Sequence, residues 1–186
     1  MDEKTDTISF DSERAKLGSG GLLETLACFQ SRRECQIEIV EYQEVFFQAL
    51  VGMYEDFEPK RGAQGLPPVG RERLVSWLRP LCDNNLNLIA LFEERVIGHT
   101  MLCPMNQGRA EFAIFIHQDF RNQGIGSSFT RVTLEYAKAK GLRHVWLTVE
   151  VNNFSAIRVY KKMGFRTSGN YYPEVEMVLH FDGRPA

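Results

Sequence analysis

EFAIFIHQDFRNQGIGSSFTRVTLEYAKAKG, Glu111 to Gly141, decides the fold. It opens with a strand-like run, Glu111 to His117, passes through RNQGIG, Arg121 to Gly126, and continues as an amphipathic helix from Gly126 to Gly141. Two glycines separated by one residue let the backbone turn without side-chain interference. Successive N–H groups and the positive end of the helix dipole then aim at one point, which suits a phosphate or diphosphate. The loop lacks the Lys-Ser/Thr of a P-loop and is not the G-x-G-x-x-G of a dinucleotide fold.

A second block follows, VEVNNFSAIRVYKKMGF, from Val149 to Phe165. A β-branched run, His144 to Val151, ends there, Asn152 or Asn153 can cap a new helix, and Gly164 can close it. Asn153 and Tyr160 are seven residues apart, so they lie close to one helix face with Ala156 between them.

Together these blocks resemble the GCN5-related N-acetyltransferase (GNAT) superfamily, which moves an acyl group from acyl-coenzyme A to an amine. The family loop Arg/Gln-x-x-Gly-x-Gly/Ala is matched by Arg121, Gly124 and Gly126. The family's later block is matched by Asn153, Ala156, Tyr160, Gly164 and Phe165. The resemblance spans roughly residues 36–181 and is strongest over 111–165. It implies an α/β fold (α+β mixed sheet), a central splayed sheet flanked by helices, with a single acetyltransferase domain over 35–183; the residues before it, 1–34, read by themselves as an N-terminal arm or short helix. It also implies acetyl-CoA as co-substrate. The backbone of Ile114 and Ile116 would pair with the pantetheine arm, while Asn122, Gln123, Gly124, Ile125, Gly126 and Ser127 hold the diphosphate. Arg121 is the best phosphate partner among the side chains.

The remaining chain reads in the same order. QIEIVEY, Gln36 to Tyr42, alternates as a half-buried strand, Val45 to Phe57 as a helix, and Arg71 to Cys82 as a second helix. Between the helices lies the Pro/Gly-rich loop Glu58 to Gly70. Asn87 to Cys103 reads as a hairpin turning at Glu93 to Arg95, and Glu174 to Phe181 as a last strand. Before residue 35 the signals are a charged start, a Gly-Ser-Gly-Gly break at Gly18 to Gly21 and the short apolar patch LLETLACF.

Composition narrows the function classes. A chain of 186 residues, 44% hydrophobic, supports one sizeable core. A net charge of -2 and a pI near 6.1 argue against a dedicated nucleic-acid binder. With neither a long apolar run nor a signal-peptide start, no membrane association and a cytoplasmic location are expected. Cys28, Cys35, Cys82 and Cys103 form no C-x-x-C pair, and His99, His117, His144 and His180 have no ligand spacing, so no metal site is expected. Cys103, in a strand near the sheet centre, is a conceivable nucleophile without a marked activating neighbour, and His117 reads as a surface residue.

The chemistry poses two proton problems. An alkylamine with a pKa near 10.4 must lose a proton before attacking a thioester. Glu111, Glu150 and Glu174 compete as the base, with Glu111 ranked first; for an α-amino acceptor, near 8, a water chain can suffice. Tyr160 is the candidate proton donor to the departing sulfur, with a buried core tyrosine as the plainer reading. Asn153 is equally a helix cap or a contact to the pantetheine. Lys60, Arg61, Arg71 and Arg73 near the acceptor loop favour an acceptor bearing a carboxylate, or an acidic protein surface. The sequence therefore predicts an N-acetyltransferase acting from acetyl-CoA on a primary amine of a small molecule, peptide or protein, with a second copy of the chain as a candidate partner. The alternative is a catalytically silent domain of the same fold that binds acyl-CoA as a sensor or partner module.

Overall fold

The computed structural model describes residues 14–16, 22–60 and 65–182. The charged start, the Gly18 to Gly21 break and Arg61 lie outside the described residues. Nine strands form one sheet in the order β1-β2-β3-β4-β5-β6-β7-β9-β8. They are β1 (Arg14–Lys16), β2 (Leu22–Gln30), β3 (Gln36–Glu41), β4 (Leu86–Phe92), β5 (Arg95–Met105), β6 (Arg109–Ile116), β7 (His144–Glu150), β8 (Arg166–Tyr171) and β9 (Glu174–His180). The helices are α1 (Phe47–Glu55), α2 (Arg71–Asn84), α3 (Ile125–Ala139) and α4 (Phe154–Lys162). Every neighbouring pair is antiparallel except β6 and β7, which α3 joins in parallel.

The apolar patch LLETLACF, where the sequence points to an arm or short helix, is instead most of the strand β2. A run this short carries no decisive period. Pairing with β3, from Thr25 against Val40 to Gln30 against Gln36, decides it, and Ala27 and Phe29 are buried in the core. The hairpin turn at Glu93 and Glu94 falls where the sequence places it, and both residues take the left-handed conformation of a two-residue connection.

Strand alternation sorts the side chains onto two faces. Ala110, Phe112, Val145, Leu147 and Val149 join Ile125, Phe129 and Tyr160 in a cluster beneath α3 and α4. Met101 and Phe115 join Leu50, Tyr54, Leu74 and Leu78 in a second cluster beneath α1 and α2. Consecutive residues of β6 thus serve opposite layers.

The second layer holds a fully buried polar chain. Asn87 Nδ2 donates to the carbonyls of Leu81, Cys82 and Asn85 at 3.1, 3.3 and 2.8 Å, satisfying the C-terminal end of α2. Its Oδ1 therefore accepts from His99 Nε2 at 3.0 Å, which leaves His99 Nδ1 to accept from the Tyr54 hydroxyl at 2.8 Å. Burial depresses the His99 pKa to about 3, so the ring is neutral. Among the described residues no helix is long and apolar enough to cross a membrane.

Candidate active site

The parallel pairing of β6 and β7 runs through only three rungs, Arg109 with His144, Ala110 with Val145 and Glu111 with Trp146. Beyond Glu111 the strands continue unpaired to Ile116 and Glu150, so a fork opens inside the sheet. His117 N–H donates to Ile97 O at 2.9 Å, next to the Ile116–Gly98 pair. By the alternation of the antiparallel ladder, Ile114 and Ile116 must turn their backbone groups away from β5 and into the fork.

The glycine loop stands at the open end. Gly124, the residue preceding α3, has φ 85°, and Asn122 has φ 62°, so the chain turns through two left-handed positions. Within the described protein no hydrogen bond takes up the amide N–H groups of residues 122–126. A Cβ on Gly126 would meet nothing within 4 Å, and one on Gly124 would meet only the Arg32 side chain. Unpaired amides at a helix start, beside open space, have the geometry to accept an anion.

Several predicted residues take places that the sequence does not reveal. Arg121 turns from the loop: its Nε donates to Ile116 O at 2.8 Å, Nη2 to Glu58 O, and the guanidinium lies 4.9 Å over the Phe57 ring. It braces the strand end and occupies the Ile116 carbonyl, leaving the backbone of Ile114 and the Ile116 N–H for the fork. Gln123 is buried, with Nε2 on the Asp119 carbonyl, so only its backbone faces outward roles. His117, read as a surface residue, is 2% exposed, and its Nδ1 accepts from the Asp119 amide at 3.4 Å. Asn153 is a helix cap, its Oδ1 accepting from Ala156 N at 3.2 Å.

The spacing from Tyr160 to Gly164 and Phe165 has a local cause. Phe165 N–H donates to Tyr160 O and Gly164 N–H to Lys161 O, both at 3.0 Å, with Gly164 at φ 95°. This is the double bond of a Schellman ending, and the Phe165 ring closes onto Tyr160 at 5.7 Å between centroids. Tyr160 also meets Phe112 edge-on at 6.2 Å. Phe112 is the first β6 residue past the last rung, so the phenol is clamped at the fork. Its hydroxyl makes no hydrogen bond among the described residues. Burial pushes its pKa up to about 12.

Glu111 is on the last rung and points to the opposite layer from Tyr160, opposite Cys103 on β5. Half-burial raises its carboxyl pKa, with Arg109 pulling the other way. Burial and the Glu111 charge push the Cys103 thiol up to about 11, so it is no thiolate nucleophile at neutral pH. Glu150 and Glu174 face each other across β7 and β9, at the far end of β7 from the fork's base. On the acceptor side, Arg71 pairs with Glu55 at 2.5 Å and with Gln48, and Lys60 is tied to the Glu55 carbonyl, so the structure shows internal partners for both. No group of three or more His, Cys, Asp or Glu among the described residues could hold a metal ion.

The acetyltransferase (GNAT) family matches residues 48–165. The L-amino acid N-acetyltransferase of Escherichia coli is 34% identical over 101 residues, covering 50% of this chain and 62% of its own. The chain spans 23% to 62% of the length of such curated relatives. The GNAT domain of S. lividans PAT superposes with a TM-score of 0.69 at 15% identity, over 83% of this chain and 96% of that one. Mycobacterium smegmatis RimJ in complex with CoA-disulfide superposes at 0.64 with 13% identity, over 86% and 88%.

Proposed function

Because the chain belongs to the acetyltransferase (GNAT) family, we propose that it transfers an acetyl group from acetyl-CoA to a primary amine. The observation that carries this reading is the fork: pairing stops after Glu111 with Trp146, and the unbonded loop amides stand at its open end. The residues fit the co-substrate. Backbone groups of Ile114 and Ile116 offer an edge for the pantetheine amides, and the amides of residues 122–126, with Ser127 beside them, hold the diphosphate.

Acetyl-CoA supplies the acyl group as an activated thioester. The chain supplies placement and proton handling. Glu111 and Tyr160 approach the base of the fork from opposite layers, so the amine is deprotonated on the α1/α2 side and the sulfur is met on the α3/α4 side. A carboxyl raised by burial is closer to the working pH and a better base than an exposed one.

A phenol near 12 holds its proton more tightly than a thiol near 8.5, so complete transfer to a free thiolate is uphill. Tyr160 therefore acts by donating a hydrogen bond to the sulfur as charge develops on it, and solvent or the released ammonium proton completes the neutralisation. Glu150 and Glu174 rank behind Glu111 because neither adjoins Phe112 and Tyr160.

The acceptor class is tested by incubating the purified protein with acetyl-CoA and pooled amines, amino acids and peptides, and reading product masses. L-amino acids enter first, by analogy with the Escherichia coli relative. Acetylated product forming with turnover supports the reading. Binding of acetyl-CoA with no product from any pool would leave a silent acyl-CoA-binding domain.

A further inference from the structure

The Arg121 guanidinium is turned away from the glycine loop, and a second arginine lies beside that loop, on a segment preceding residues 48–165 where the family match lies. The turn between β2 and β3, Ser31 to Cys35, reaches the glycine loop: Arg32 N–H donates to Gln123 O at 2.9 Å. The turn is stiff. Ser31 N–H donates to Cys35 O at 2.8 Å, Glu34 N–H to Ser31 O at 2.9 Å, and the Ser31 hydroxyl accepts from the Arg33 and Cys35 amides. The Arg32 side chain then runs over Gly124, with Cγ and Nε at 3.7 and 3.8 Å from where a Cβ on that glycine would stand. It is exposed and, among the described residues, has no carboxylate partner. Arg121, by contrast, has its Nε on a backbone carbonyl and its guanidinium over Phe57.

We propose that Arg32 is the side chain that binds the diphosphate of the co-substrate, and that the N-terminal hairpin is thereby part of the binding site. This rests on the proposed use of acetyl-CoA. A guanidinium beside a row of amide N–H groups at a helix start supplies the charge-assisted bonds that the amides alone lack. The hairpin holds the Arg32 backbone against the loop, so the side chain starts within reach of the amides.

The test is calorimetric titration of wild type, Arg32→Gln and Arg32→Lys with CoA, 3′-dephospho-CoA and pantetheine, at low and high salt. Arg32→Gln is expected to weaken CoA and dephospho-CoA by about tenfold, one charge-assisted bond, while pantetheine is unchanged. Arg32→Lys should regain part of the affinity, and the difference between wild type and Arg32→Gln should shrink at high salt. Circular dichroism melting of Arg32→Gln should match wild type, separating binding from folding. Equal CoA affinity in wild type and Arg32→Gln overturns the assignment while the acetyltransferase reading stands. A loss confined to CoA, absent with dephospho-CoA, overturns the diphosphate assignment in favour of the 3′-phosphate. A wild type that binds no CoA overturns both.

Discussion

The Tyr54–His99–Asn87 chain and the fork between β6 and β7 treat polar groups in opposite ways. In the first, each atom of the chain has its partner inside the protein: hydroxyl to ring nitrogen, ring N–H to amide oxygen, amide N–H groups to the end of α2. In the second, strand and loop amides face open space with no partner among the described residues. Unmatched polar groups are tolerated only where solvent or a ligand completes them, so the first region is closed architecture and the second is open to a ligand, as the proposed function requires. Substitutions should separate the two, with those at the fork costing binding or rate and those in the chain costing stability.

The largest effect is expected at the loop. Gly124→Asp places a side chain and a negative charge at a left-handed position in the proposed diphosphate site, and should abolish CoA binding in a titration while circular dichroism reports a folded protein. Unchanged affinity in the folded variant would break the comparison at its strongest point. Tyr160→Phe should leave CoA affinity intact and lower kcat by about 10²-fold, the scale for losing one positioned donor to developing charge. If only the melting temperature falls, Tyr160 belongs to the core and the fork loses its donor.

Glu111→Gln should reduce activity by a similar factor near neutral pH, and the gap should narrow as rising pH supplies free amine. Glu150→Gln and Glu174→Gln, measured alongside, should run parallel to wild type. If one of them converges with pH instead, the base belongs to that residue; if none does, solvent carries the proton.

The matched region should respond in stability and not in binding or rate. The unfolded chain protonates His99 near 6.5, whereas the folded chain resists until about 3. The unfolded state therefore binds more protons across that window, and the contribution to stability is lost as pH falls through it, with a slope of up to roughly 1.4 kcal/mol per pH unit. Denaturant titrations between pH 4 and pH 8 should show this slope in wild type, and His99→Gln should flatten it.

How much of this the sequence shows depends on the range of the interactions. The glycine loop, the Asn153 cap and the Tyr160 to Phe165 ending are encoded within a few residues, so their geometry is legible from spacing. The succession of helices and strands from residue 36 onward follows from similar local signals, read as hydrophobic period and turn residues. Strand β2 is not legible, because a short apolar run takes its conformation from pairing with β3. The diversion of Arg121 is not legible either: its partners, Phe57 and the Glu58 carbonyl, arrive from a loop 63 residues earlier. Nothing in the sequence singles out Arg32, and only the docking of its turn against Gln123 brings it beside the glycine loop. His117 and His99 look alike as isolated histidines, yet tertiary packing buries both.

Amide hydrogen exchange with and without CoA reads the unmatched backbone groups themselves. CoA is expected to slow exchange at the Ile114 and Ile116 amides and across residues 122–127, while the amides of the paired rungs Arg109 to Glu111 and of His99 keep their rates. Slowing confined to other parts of the chain, or none at a saturating concentration of CoA, would contradict the proposed binding at the fork.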